Sequence, residues 1–156
     1  MEFNKETIGR FAQEIRKSCI EDKKGGPFGA LVLKEGQIVA VGFNEVTSTN
    51  DPTAHAEVQA IRKACKKLNT FDLTGCELYA SGFPCPMCMS AIIWANIKKV
   101  YYSANYLDAE EIGFRDKHIF DFIKNNYEGN LIEFKRLSKS SIIKIYEEFN
   151  EKGELY

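Results

Sequence analysis

A chain of 156 residues, 44% hydrophobic and 28% charged, is long enough for one domain with a real core and too apolar for extended disorder. A net charge of −1 carries no electrostatic footprint for nucleic acid, and no apolar run approaches the ~20 residues of a membrane span. Five cysteines, an odd number without a secretory leader before them, fit a disulfide framework poorly and lead to the expectation of a cytoplasmic protein.

In chain order, Ile8, Phe11, Ala12, Ile15 and Cys19 recur at helical spacing and predict an amphipathic helix over residues 4–22, broken by Gly25-Gly26-Pro27. "FGALVLKEGQIVAVGF" predicts a hairpin turning at Glu35-Gly36. The polar loop "NEVTSTNDPT" leads to Asp51-Pro52, a cap and first-turn proline that predict the start of a helix with Val58, Ile61, Cys65 and Leu68 as its buried stripe. "CELYAS" predicts a strand, and Pro86–Ala95, apolar all round, predicts a buried helix. "KKVYYSA" is the next expected strand, and Leu131–Leu137 is expected as a fifth. A last helix from about 139 to 150 presents Ile142, Ile145, Tyr146 and Phe149 on one face. This order predicts a single α/β domain over residues 1–156, with helices on both faces of one mixed sheet.

The chemistry concentrates in two short motifs. Cys85 and Cys88 form a C-x-x-C pair where a strand ends and a helix begins, and Pro86 suits the first helical position. A helix N-terminus favours a thiolate there. His55 and Glu57, in "DPTAHAEVQA", form H-x-E. Residues two apart point apart in mid-helix, so these two converge only at a helix end, which Asp51-Pro52 places nearby. One histidine and two cysteines give zinc three protein ligands and leave the fourth position to water, the pattern of a catalytic rather than a structural site. Zinc acidifies that water, and Glu57 is the carboxylate placed to carry its proton.

H-x-E followed by P-C-x-x-C is the signature of the zinc deaminases of nucleobases. "HAE" and "PCPMC" resemble the cytidine-deaminase-like superfamily. "GGPFGALVL", "DPTAHAEVQAIRKAC", "PCPMCMSAIIWA", "DAEEIGFRD" and the terminal "KGELY" look like the short bacterial guanine deaminases. The resemblance implies a three-layer α/β/α sandwich with a five-stranded mixed sheet, one Zn²⁺ per chain on His55, Cys85 and Cys88, and Glu57 as proton shuttle. It implies a homodimer that exchanges C-terminal segments of about 138–156. For the purine it implies Asn44 as hydrogen-bond partner, Phe28 and His55 against the ring, and Asp116 and Tyr156 as contacts from the partner subunit. Trp94 is either pocket wall or plain core. Cys19, Cys65 and Cys76 read as core thiols, and His118 as a surface residue.

One position departs from the pattern: the residue before Pro84, usually Glu in guanine and tRNA-adenosine deaminases, is Phe83. That keeps a tRNA adenosine deaminase, or a deaminase of another free base such as cytosine, as rival readings. The segment 147–156, with four glutamates against one lysine, speaks against a tail that tracks phosphates. A structural zinc module, the remaining rival, has no use for Glu57 and needs a fourth ligand.

Overall fold

A computed structural model describes residues 1–156. The elements are α1 (Lys5–Arg16), β1 (Gly29–Lys34), β2 (Gln37–Phe43), α2 (Val46–Thr49), α3 (Ala56–Leu68), β3 (Cys76–Gly82), α4 (Pro86–Trp94), β4 (Val100–Ala104), α5 (Tyr106–Glu111), α6 (Asp116–Lys124) and α7 (Ser140–Lys152). Asn4 and Thr7 cap each other's backbone at the start of α1. A π-helical turn, Lys17–Glu21, continues α1 to the predicted end. Glu35 and Gly36 both take positive φ, the requirement of a tight two-residue hairpin turn.

The sheet has the order β2-β1-β3-β4, with β1 antiparallel to both neighbours and β3 parallel to β4. β1 is buried on both faces, as a central strand between helical layers must be. One face carries Leu31, Leu33 and Tyr79 against Phe11 and Ile15 of α1. The other carries Ala30, Val32 and Leu78 against α3 and Ile92 of α4. No helix is long and apolar enough to cross a membrane.

α3 buries a different stripe from the one its large residues predict. Ala56, Ala60 and Ala64 are fully covered, while Ile61, Cys65 and Leu68 are only partly so. The reason is closeness of approach: a Cβ on Gly42 of β2 would stand 2.2 Å from the Ala56 carbonyl oxygen and 2.5 Å from the Ala60 nitrogen. Helix and strand meet there backbone to backbone, and only small residues fit the seam. The helix also begins at Ala56 rather than at Pro52. Asp51 instead closes a turn, accepting from the N–H and the hydroxyl of Thr53 at 2.8 and 2.6 Å.

The expected fifth strand is a correction. Leu131–Leu137 forms no ladder, and the sheet has four strands. An apolar run favours burial in a sheet, but a strand also needs an edge to pair with, ~4.8 Å away. Phe134 stacks instead on Phe122 of α6 and meets Tyr127, just past that helix, edge-on, and Leu131, Ile132 and Leu137 are exposed. α4 is likewise not buried all round: Pro86, Cys88 and Ile92 face inward, whereas Ile93 and Trp94 lie exposed. α7 forms as expected, with Ile142, Ile145, Tyr146 and Phe149 uncovered by the rest of the chain.

Candidate active site

The site is built from two helix starts facing each other. His55 is the N-cap of α3, with extended backbone (φ −68°, ψ 154°), and Glu57 lies in the first helical turn. The change of backbone direction at the cap turns both side chains toward the same point, which two residues within a helix cannot do. Opposite them, Cys85 is the N-cap of α4, Pro86 takes the first helical position, and the Cys88 N–H donates to Cys85 Sγ at 3.5 Å.

The ligand atoms of His55, Cys85 and Cys88 all lie within 4.8 Å of one another. His55 Nδ1 is 3.5 Å from Cys85 Sγ and 3.6 Å from Cys88 Sγ. Tetrahedral zinc, with bonds of about 2.3 Å to sulfur and about 2.0–2.1 Å to nitrogen, sets N and S about 3.6 Å apart. The three donors therefore fit one zinc ion without rearrangement.

Their protonation fits as well. The hydrogen bond from Cys88, aided by the His55 ring, pulls the Cys85 thiol well down, toward the thiolate form that a metal binds. The same bond to Cys85 pushes the Cys88 thiol well up, because ionising it would place a second buried anion beside the first. His55 is raised by its bond to Cys85. Glu57, 8% exposed, is raised by burial, and its Oε2 accepts from the Cys88 thiol at 3.4 Å. A cation at the centre of this group would draw the protons from both thiols.

Above the ligands opens a cavity of about 510 Å³. Phe28, Asn44, His55, Glu57, Cys85 and Asp116 all line it, and Cys88 lies fully buried behind. Asn44, 5% exposed, uses its Oδ1 to accept the N–H groups of Gly26 and Val46, both at 3.1 Å. With the oxygen engaged twice, the side-chain amide has only its NH₂ left to offer the cavity. Asp116, first residue of α6 and expected from the partner subunit, instead lines the cavity of its own chain; it is half-buried and its carboxyl is raised chiefly by that burial. The cavity thus places a donor and an acceptor over the metal group.

Residue reasoning missed two contributors. Gly25 and Gly26, read as a helix break, are steric necessities: a Cβ on Gly25 would meet Asn44 Oδ1 at 2.2 Å, and one on Gly26 would press on Phe28 and Phe114. Phe114 stands edge-on to Phe28, ring centroids 4.8 Å apart at 86°, and also lines the cavity. A paired glycine beside a hairpin was the available signal, since it marks backbone that another group approaches closely.

Trp94 and Tyr156 lie elsewhere. Trp94, 69% exposed, lines a separate groove between α3 and α4 with Ile61, Phe71 and Ala91. Tyr156 rests on the same groove, 5.9 Å from Trp94 and 6.2 Å from Phe71 by ring centroids. Neither reaches the cavity of its own chain. His118 is exposed, and Cys19 lines the cavity's outer part.

Residues 3–104 match the family model of the cytidine and deoxycytidylate deaminase zinc-binding region. Over 131 residues, 84% of each chain, the sequence is 49% identical to guanine deaminase from Bacillus subtilis. The crystal structure of guanine deaminase from Bacillus subtilis superimposes with a TM-score of 0.88 at 42% identity, covering 99% of this chain and 98% of that one. The tRNA-specific adenosine deaminase of Aquifex aeolicus is 50% identical over 78 residues, half of this chain and 52% of its own length.

Proposed function

The chain belongs to the cytidine and deoxycytidylate deaminase family of zinc enzymes, and from that premise we propose that it hydrolyses guanine to xanthine and ammonia. The choice of base is carried by the reach of the likeness to the guanine deaminase, which spans both chains almost end to end. The likeness to the tRNA enzyme stops at half, and a net charge of −1 offers little to an RNA backbone.

His55, Cys85 and Cys88 hold the zinc, which when bound supplies an acidified water next to Glu57. Glu57 would take one proton of that water as its oxygen adds to C2 of guanine, and pass it to ring N3. It would then take the second proton, from the newly added hydroxyl, and give it to the departing nitrogen, so that the C2–N bond breaks, the C2 carbonyl forms and ammonia leaves. Burial raises the Glu57 carboxyl, which suits a group that must hold a proton as well as take one. Phe28 gives the base an apolar face, the Asn44 amide donates to a purine acceptor, and Asp116 accepts from guanine's N–H groups. A base without those N–H groups leaves a half-buried acid unpartnered, which is the source of selectivity.

We further read the protein as a cytoplasmic homodimer. The apolar face of α7 and the exposed Leu131, Ile132 and Leu137 amount to a C-terminal segment with nothing to cover it in one chain. Exchange of residues of about 138–156 with a second copy would cover them. It would also bring the partner's Tyr156 toward a cavity that its own chain leaves to it. Five unpaired cysteines, two of them metal ligands, suit a reducing compartment.

Ammonia release by the purified protein, measured across guanine, adenine, cytosine, their nucleosides and an adenosine-containing tRNA anticodon stem-loop, tests the assignment. Guanine is expected to be turned over fastest. Faster turnover of cytosine or of adenosine in tRNA would overturn the choice of base.

A further inference from the structure

Phe83 stands between the end of β3 and the metal-ligand turn, and its ring also lines the cavity. It meets Tyr102 of β4 edge to face, ring centroids 5.1 Å apart at 87°. It lies 6.5 Å from Tyr106 of α5 and 6.4 Å from Phe120 of α6, and the last two rings are themselves 5.7 Å apart. One side chain beside the metal turn therefore touches three successive elements that follow it.

α6 packs against α5 and α4, but shallowly. None of its residues is buried, and its ion pair, Lys117–Asp121, is internal to the helix. Its ties to the body are aromatic: Phe120 on Phe83 and Tyr106, and just before the helix Phe114 on Phe28. Asp116 and Phe120 are four residues apart, hence neighbours on one helix face. Whatever sets the position of Phe120 sets that of Asp116 as well.

We propose that Phe83 is the positioning residue for Asp116: its ring seats Phe120, and through Phe120 it fixes how far the α6 carboxylate extends over the metal group. Phe83 itself donates and accepts nothing through its side chain. Its effect on turnover passes through the acid it places. The kinetic part of the test rests on the guanine reading above; the exchange part does not.

A double-mutant cycle separates placement from a plain wall. Phe83→Ala is expected to lower kcat/KM for guanine by 10- to 100-fold, since a ~1 Å misplacement can cost about 10²-fold. Phe83→Tyr, which keeps the ring, should restore it to within about threefold. In an Asp116→Ala background, Phe83→Ala should change kcat/KM by less than twofold, because contacts that act through one group are not additive. Zinc content should stay at one per chain throughout. Phe120→Leu approaches the same contact from α6 and should follow the same pattern if Phe83→Ala folds poorly.

Amide exchange over residues 114–124 needs no substrate and should speed up in Phe83→Ala while residues 86–94 stay unchanged. If guanine is not the substrate but exchange still changes in this way, the placement stands and only the substrate reading falls. Additive losses in the cycle, or unaltered exchange in α6, would overturn the proposal.

Discussion

Asn44 does two jobs with the two ends of one amide, and they can be separated. Its oxygen accepts the N–H groups of Gly26 and Val46, each at 3.1 Å, which leaves the NH₂ as the group this cavity-lining residue has to offer a ligand. Asn44→Ala removes both ends. Two backbone hydrogen bonds, each worth about 1 kcal/mol net, sum to ~2 kcal/mol of stability. In a domain of this size that lowers Tm by ~4–8 °C. Asn44→Asp keeps an oxygen for the two N–H donors and replaces the NH₂ with an acceptor. Its loss in Tm should be less than half that of Asn44→Ala. Its kcat/KM for guanine should nevertheless fall about 10- to 100-fold, the ~1–3 kcal/mol of a buried hydrogen bond left facing the wrong partner. Differential scanning fluorimetry and steady-state kinetics on both variants check the split. Asn44→Asp with wild-type kcat/KM would show that the amide is only a loop brace, and the donor assignment would fail.

Glu57→Gln should retain one zinc per chain by metal analysis and lose about 10²–10⁴-fold in kcat. Its melting temperature should hold or rise, since a buried carboxyl is replaced by a neutral amide. Gly42→Ala pushes a methyl group against the Ala56 carbonyl and the Ala60 nitrogen, backbone atoms that cannot swing aside. It should lower Tm and zinc content together, because His55 rides on that turn of α3; a stable variant with full zinc would contradict the seam described above. Deleting Glu154–Tyr156 should raise KM or lower kcat for guanine while zinc content and Tm stay close to wild type. Unchanged kinetics would remove Tyr156 from the site.

The metal group was legible because its chemistry is local in the chain. A helix start tells which way His55 and Glu57 face, and Pro86 announces the other start beside Cys85. The hairpin, the alternation of helix and strand, and the exposed face of α7 were legible from periodicity for the same reason. What escaped depends on distance between elements. The alanine seam of α3 is invisible until Gly42 is known to lie under it, and large residues drew the expected stripe to the flank of the buried face rather than its centre. Leu131–Leu137 has the apolar content of a strand but no edge to join. The roles of Gly25 and Gly26 appear only when Asn44 and the Phe28–Phe114 pair arrive from other parts of the chain. Trp94 carries no local mark that separates one groove from another.

The parallel pairing of β3 and β4 has a further consequence. Gly82 lies opposite Ala104 at the carboxyl ends of the two strands, and the Phe83 N–H reaches the Ala104 carbonyl at 2.7 Å. Two excursions therefore leave the sheet side by side. One goes directly to the cysteines, and the other returns through α5 to Phe114 and Asp116. The metal turn and the Asp116 segment thus leave the sheet on separate stretches of backbone that meet again where Phe83 packs on Phe120. An exchange of residues 105–127 for another segment that keeps an aromatic residue at 106 and 120 should therefore hold the metal turn in place, and the grafted enzyme should change which base it accepts before it loses its zinc.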